Sequence, residues 1–252
     1  MLKIYYLVLF LLLPSVCYAW GPLTHTYLAN EVLFFSFLLP PFVSSIINRF
    51  KEDFLYGNIM ADMVLGKKYL PQDKSSHSWD FGFRLADGAK TPQQKAFAFG
   101  YISHLAADTV AHDILTKESK NIEHTLYELK ADSFINKKYW LQAVAIKKSV
   151  QKRNDLFLEN SICKLFLSFK INKRIYKSLL FMSLFTTGGV MNIVEGHMPF
   201  SYTPPRHMIE DLTEESLGRI IDILRHGRTS KIADIKPSGE IIHGKLYKSL
   251  FL

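Results

Sequence analysis

Thr91-Pro92 opens a segment that reaches Leu115 without another proline. Its apolar residues Ala96, Phe99, Ile102, Leu105, Ala106 and Val110 recur at three- and four-residue spacing, the signature of a helix face. The same segment holds His104, Asp108 and His112. Four residues advance a helix by about 400°, so each of these side chains drifts only about 40° from the one before. They form one stripe across two turns. Polar groups in so apolar a helix cost free energy unless something satisfies them. The spacing therefore predicts a buried helix whose polar stripe holds a ligand.

A second pair, His124 and Glu128, stands four apart on the next helical segment. Two facing helices that each present such pairs can enclose metal ions. Further candidates are Asp62, just after a predicted Gly57-Asn58 turn, His77 in His77-Ser78-Trp79, and His25 in Trp20-Gly-Pro-Leu-Thr-His25. His197, His207, His226 and His243 lack partner spacing and read as structural or exposed. Tyr101, Trp79 and Phe81 read mainly as core aromatics beside the cleft. Elsewhere Leu126–Phe134, Leu141–Val150, Leu156–Phe169 and Ile209–Leu224 carry helical patterns, and Ser178–Val194 reads as a buried core helix. Runs with a two-residue period are few. The expected class is all-α, a single-domain helical bundle over residues 20–252.

The first 19 residues read differently. Lys3 precedes an apolar stretch from Ile4 to Leu13, Pro14 breaks it, and Cys17-Tyr18-Ala19 ends in a peptidase-like site. The pattern predicts a signal peptide cut between Ala19 and Trp20, which would send the chain to the periplasm or outside the cell. Pro14-Ser15-Val16 before Cys17 is a poor lipid-attachment sequence, which weighs against a lipoprotein. The 252-residue chain holds two cysteines. Only Cys163 survives the cut, so the mature chain has no internal disulfide. With 48% apolar residues it can bury a sizeable core, and its net charge of +8 favours anionic partners.

Trp20-Gly21 with His25, Gly57-Asn58 through Asp62, His77-Ser78-Trp79, Tyr101-Ile102-Ser103-His104, Asp108, His112, and His124 with Glu128 together resemble the zinc-dependent phospholipase C family. That family is related to the S1/P1 nucleases by a trinuclear zinc site. The resemblance covers residues 20–128. It implies three zinc ions. One would take Asp62, His77, His104 and Asp108, and a second would take His112, His124 and Glu128. The third would take the α-amine and carbonyl of Trp20 with His25 and Asp108. It also implies a general-base role for Asp62. Three Zn²⁺ against the three carboxylates and one hydroxide leave a positive cluster, which suits a phosphodiester. Zinc brings bound water toward a pKa near ~7. An α-amine, with a pKa near ~7.7, yields its proton to a metal more readily than a lysine.

Three features favour phospholipids over nucleic acid as substrate: Met60-Ala61-Asp62 in place of the nucleases' Trp-Ala-Asp, Glu128 as the last ligand, and the single mature cysteine. The short step from Trp20 to His25 is nuclease-like. Gly21 to Thr24 holds no acid and Met63 follows Asp62, so a choline cage is not supported. Lys137 to Lys177 hold eleven Lys or Arg against Asp155 and Glu159, a net +9, interleaved with aromatic residues. That stretch is either a set of solvated helix faces or a contact for an anionic membrane surface. The alternatives to a phospholipid hydrolase are a single-strand nuclease or nucleotidase and a non-catalytic, zinc-stabilised membrane-surface protein.

Overall fold

The fold follows from one helix, and a computed structural model shows it over residues 20–63, 75–112, 121–162, 168–183 and 205–237. Among these residues there is no β-strand, so the all-α class holds. Ten α-helices are seen: α1 (Pro22–Phe34), α2 (Pro41–Arg49), α3 (Lys51–Met60), α4 (Trp79–Gly88), α5 (Pro92–Val110), α6 (Asn121–Phe134), α7 (Lys138–Ala145), α8 (Lys148–Ser161), α9 (Phe169–Ser183) and α10 (Arg206–His226). The expected signal segment 1–19 lies outside the described residues, as do His197, His243 and most of Ser178–Val194.

Helix α5 is the centre. Pro92 occupies its first turn, and Thr91 and Gln94 cap it reciprocally, each side chain accepting from the other's backbone N–H at 3.2 Å. From Gly100 to Val110 every residue is buried. An apolar stripe would bury only one face; this helix is covered all round by α2, α3, α4 and α10. Beyond Val110, Ala111 and His112 continue in a wider turn.

The tightest of these crossings is α3 on α5, and two glycines permit it. A Cβ on Gly57 would stand 1.9 Å from the carbonyl oxygen of Phe97, and one on Gly100 would stand 2.0 Å from that of Phe54. The backbones touch where side chains would otherwise hold them apart. The expected Gly57-Asn58 turn is therefore corrected: both residues lie inside α3, and the chain turns only at Ala61-Asp62. Gly57 marks a helix contact there.

Helix α1 is held at its start by α6. Gly21 cannot offer a side-chain cap. Instead the buried Asp132 carboxylate accepts from the Leu23 N–H at 3.1 Å, the Thr24 N–H at 2.9 Å and the Thr24 hydroxyl at 2.8 Å. It satisfies the orphan donors and meets the positive end of the helix dipole. Burial still pushes its carboxyl up to about 6, against the pull of the Thr24 and Leu23 donors. The Trp20 indole is fully buried and donates to the Ala107 carbonyl and the Ser216 hydroxyl, both at 3.1 Å, tying the segment before α1 to α5 and α10.

The basic half is segmented differently from its sequence pattern. The predicted helix Leu141–Val150 breaks at Ile146-Lys147, which are extended. The break lets Ile146 and Val150 both enter the core, and Glu52 accepts the freed Lys147 N–H at 3.1 Å. The predicted helix Leu156–Phe169 likewise ends at Ser161, and a new one starts at Phe169. Ile209–Leu224 lies within α10 as expected. Arg153 forks onto the buried Asp53 from Nε at 2.8 Å, with Asn154 beside it at 2.7 Å. Tyr56 and Lys173 both donate to Asp155. Part of the positive charge thus bolts α8 and α9 onto α3.

Two stability predictions follow from these contacts. Gly57→Ala and Gly100→Ala should each destabilise by about 3 kcal/mol or more, since the obstacle is backbone. Gly218→Ala in α10, which meets nothing within 4 Å, should stabilise by about 0.5–1 kcal/mol. Urea unfolding of the three variants checks the opposite signs. Asp132→Ala strands three donors and should cost about 1–3 kcal/mol, with Asp132→Asn intermediate, by the same measurement.

Candidate metal centre

Helix α5 presents His104 and Asp108 one turn apart, 1% and 0% exposed. The α3–α5 crossing delivers Asp62, also 1% exposed, from the turn after α3. His77 comes from the bend before α4. Tyr101 of α5 holds that bend by donating to the Ser76 carbonyl at 2.6 Å, and Ser78 caps α4 by accepting the Phe81 N–H at 3.3 Å. Helix α1 brings His25, placed by the Trp20 and Asp132 contacts at its start. Trp79 and Phe81 are core residues, as expected, and the Trp79 indole donates to the Ile235 carbonyl at 2.6 Å.

These side chains converge. His104 Nε2 lies 3.3 Å from Asp62 Oδ1 and 3.1 Å from Asp108 Oδ2. His77 Nε2 lies 2.8 Å from Asp108 Oδ2, and His25 Nε2 lies 3.1 Å from Asp108 Oδ1. The His25 and His104 rings stack with centroids 3.8 Å apart, and His77 meets His104 edge-on at 5.3 Å. Asp62, His77, His104 and Asp108 each offer one donor atom, all within 4.8 Å of one another.

The donors fit a cation better than they fit each other. Nε2 of His25, Nε2 of His104 and both oxygens of Asp108 are buried without a properly directed hydrogen bond, although they stand about 3 Å from one another. Lone pairs that point to a shared centre give this pattern. Zinc bonds of about 2.0–2.1 Å in a tetrahedron hold donors on the order of 3.4 Å apart, close to the spacings here. Nitrogen and carboxylate donors without thiolate are also what such a zinc takes.

The charges agree. Burial lowers the His25 pKa, with the His104 charge adding to it. Burial also works against His104, but Asp108 and Asp62 outweigh it and lift that imidazole to about 9. Burial would raise Asp108, yet the His104 and His25 charges hold it well below the usual carboxylate range. Without metal, His104 keeps a proton between two carboxylates. A cation that takes its place must displace that proton.

Of the remaining candidates, Glu128 is buried on α6 and His112 is half-buried just past α5. His124 falls on α6, but its side chain lies outside the described ones. His207 is exposed, and the exposed His226 faces Asp222 on its own helix at 3.0 Å.

One buried polar residue escaped the sequence reading and another was misplaced by it. Asp132 continues the four-residue step of His124 and Glu128, so its place on the inward face of α6 was readable from spacing. Its bond to the start of α1 was not, because that partner lies over a hundred residues away. Asn58, read from the sequence as part of a turn, lies in α3 shortly before Asp62, with both amide atoms buried and without a hydrogen-bond partner.

The zinc dependent phospholipase C family is matched over residues 24–176, which takes in every candidate ligand but Trp20. Neither a curated protein nor a solved structure matches the chain. With well over half of its length in that match, and with a buried histidine–aspartate cluster at its centre, the chain belongs to the zinc dependent phospholipase C family.

Proposed function

We propose that this protein is a secreted or periplasmic phospholipid hydrolase. Water attacks the phosphorus, the bond to the glycerol oxygen breaks, and diacylglycerol and a phosphorylated head group leave. The observation that carries this reading is the buried quartet of Asp62, His77, His104 and Asp108. The family match supports the phospholipid. Zinc, when bound, supplies a Lewis acid for the phosphoryl oxygens and lowers the pKa of a water.

The chain's own residues do the rest. Asp62, His77, His104 and Asp108 would hold one ion. Asp108 turns Oδ1 toward His25 and Oδ2 toward His77 and His104. That split suits a second ion, which Asp108 would hold with His25 and the Trp20 α-amine and carbonyl. His112, His124 and Glu128 would hold a third. Asp62 orients the attacking water and takes its proton. Signal cleavage between Ala19 and Trp20 creates the α-amine. The mature chain thus completes its site only after export.

The decisive test sets mature protein against long-chain phospholipids and single-stranded DNA, with and without a chelator. Release of diacylglycerol that chelation abolishes and zinc restores is the expected result. Cleavage of DNA alone, or no turnover in zinc-loaded protein, would reject the proposal. Asp62→Asn should lower turnover by about 10²–10⁴-fold, while His226→Ala on the surface should leave it unchanged.

The α-amine has its own test. A chain that keeps a methionine before Trp20 has an amide there, with no lone pair to give. Elemental analysis should find close to three zinc ions per correctly trimmed chain and about one fewer in the extended chain. Equal zinc in both would remove Trp20 from the ligand set.

A further inference from the structure

The turn between α1 and α2 carries an apolar surface that the metal centre does not use. Between Glu31 and Arg49 the sequence holds no charged residue. Val32, Leu39, Val43 and Ile47 face the core, 0–7% exposed. Phe34, Phe37, Leu38 and Phe42 face outward, at 73%, 73%, 44% and 62%. A scattered exposed leucine needs no explanation; three phenylalanines on one bend do.

The bend is also rigid. Asn48 of α2 donates to the Ser36 hydroxyl at 2.8 Å and to the Ser44 carbonyl at 2.9 Å, which staples the 3-10 turn Ser36–Leu38 to α2. The Phe35 ring meets Phe34 edge-on at 4.9 Å and Phe37 at a tilt at 6.1 Å. The exposed rings are held out by structure.

Positive charge borders them. Helix α7 packs along α1, with Asn30 and Gln142 exchanging hydrogen bonds of 2.8 and 3.1 Å. Phe34 shares a groove with Lys138 and Tyr139, and the Lys138 ammonium lies 4.9 Å from the centre of the Tyr139 ring. Glu31 is the acid of that groove. Burial raises its carboxyl, and Lys138 pulls the other way. Arg49 stands seven residues after Phe42 and so on the same face of α2, with its guanidinium 5.5 Å over Phe50. Apolar rings flanked by lysine, arginine and tyrosine suit the boundary between acyl chains and anionic head groups.

We propose that Phe34, Phe37, Leu38 and Phe42 insert into the head-group layer of an anionic bilayer, with Lys138 and Arg49 against the lipid phosphates. This rests on the phospholipid reading above. Helix α1 carries His25 near one end and Phe34 at the other, nine residues or about 13 Å along its axis. One helix then links the membrane contact to the metal centre. From the basic stretch Lys137–Lys177 the contact takes Lys138; further along, Lys147, Arg153 and Lys173 pair with Glu52, Asp53 and Asp155.

The test is co-sedimentation of mature, zinc-loaded protein with phosphatidylcholine vesicles, with and without phosphatidylserine. Wild type should bind the phosphatidylserine vesicles more tightly. Phe34→Ser/Phe37→Ser/Phe42→Ser should weaken binding to both by roughly tenfold or more, since each ring gives up apolar contact worth that order. Lys138→Glu should weaken binding only where phosphatidylserine is present. Zinc content and turnover of a soluble short-chain phospholipid should stay at wild-type levels in all variants. Binding needs no turnover, so vesicle binding that the triple variant loses would uphold this surface even if no lipid were cleaved. Turnover of lipid by a triple variant that binds like wild type would overturn the surface and leave the proposed activity standing. Failure of wild type to bind, with a dimer that the triple variant splits in sedimentation, would also overturn it.

Discussion

Asp108 is the residue around which the rest is arranged. It lies wholly buried on the central helix, where an unpaired carboxylate would be prohibitively costly. Three imidazoles reach its two oxygens from α1, α5 and the bend before α4. Each of those elements has a device that aims it. Asp132 and Trp20 place α1, Tyr101 places the His77 bend, and the α5 turn places His104 at four residues' distance. The polar cluster is tolerated because many apolar contacts hold it, and it specifies the fold because few other arrangements would satisfy it.

The glycine crossing of α3 and α5 connects packing to chemistry. Backbone contact at Gly57 and Gly100 draws the end of α3 inward. Asp62 then sits at 3.3 Å from His104, and Asn58 is buried one turn earlier. A wider crossing would leave Asp62 too far away to share a cation. The site's shape therefore depends on residues that have no side chain.

Charge in this chain has two duties. Asp53 and Asp155 take up Arg153 and Lys173, so part of the basic excess joins α8 and α9 to the core. An arginine forked onto a buried carboxylate does more for stability than a pair with both partners in solvent. Other cations remain at the surface, and those beside the exposed phenylalanines make a contact in which apolar and ionic terms act together.

The sequence by itself determined the helical class, the polar stripe of the central helix, and the residue types gathered near it. Those are local properties: a 3.6-residue period and a four-residue step survive in any fold that keeps the helix. It misread Gly57-Asn58 as a turn and carried one helix through Ile146-Lys147. In both places a distant partner overrides local preference, the Phe97 carbonyl in the first and Glu52 in the second. The capping of α1 by Asp132 and the outward phenylalanines between α1 and α2 were likewise decided only by tertiary structure. A pattern names which residues share a face, but only the packing of helices far apart in sequence decides which face meets a partner and which meets water.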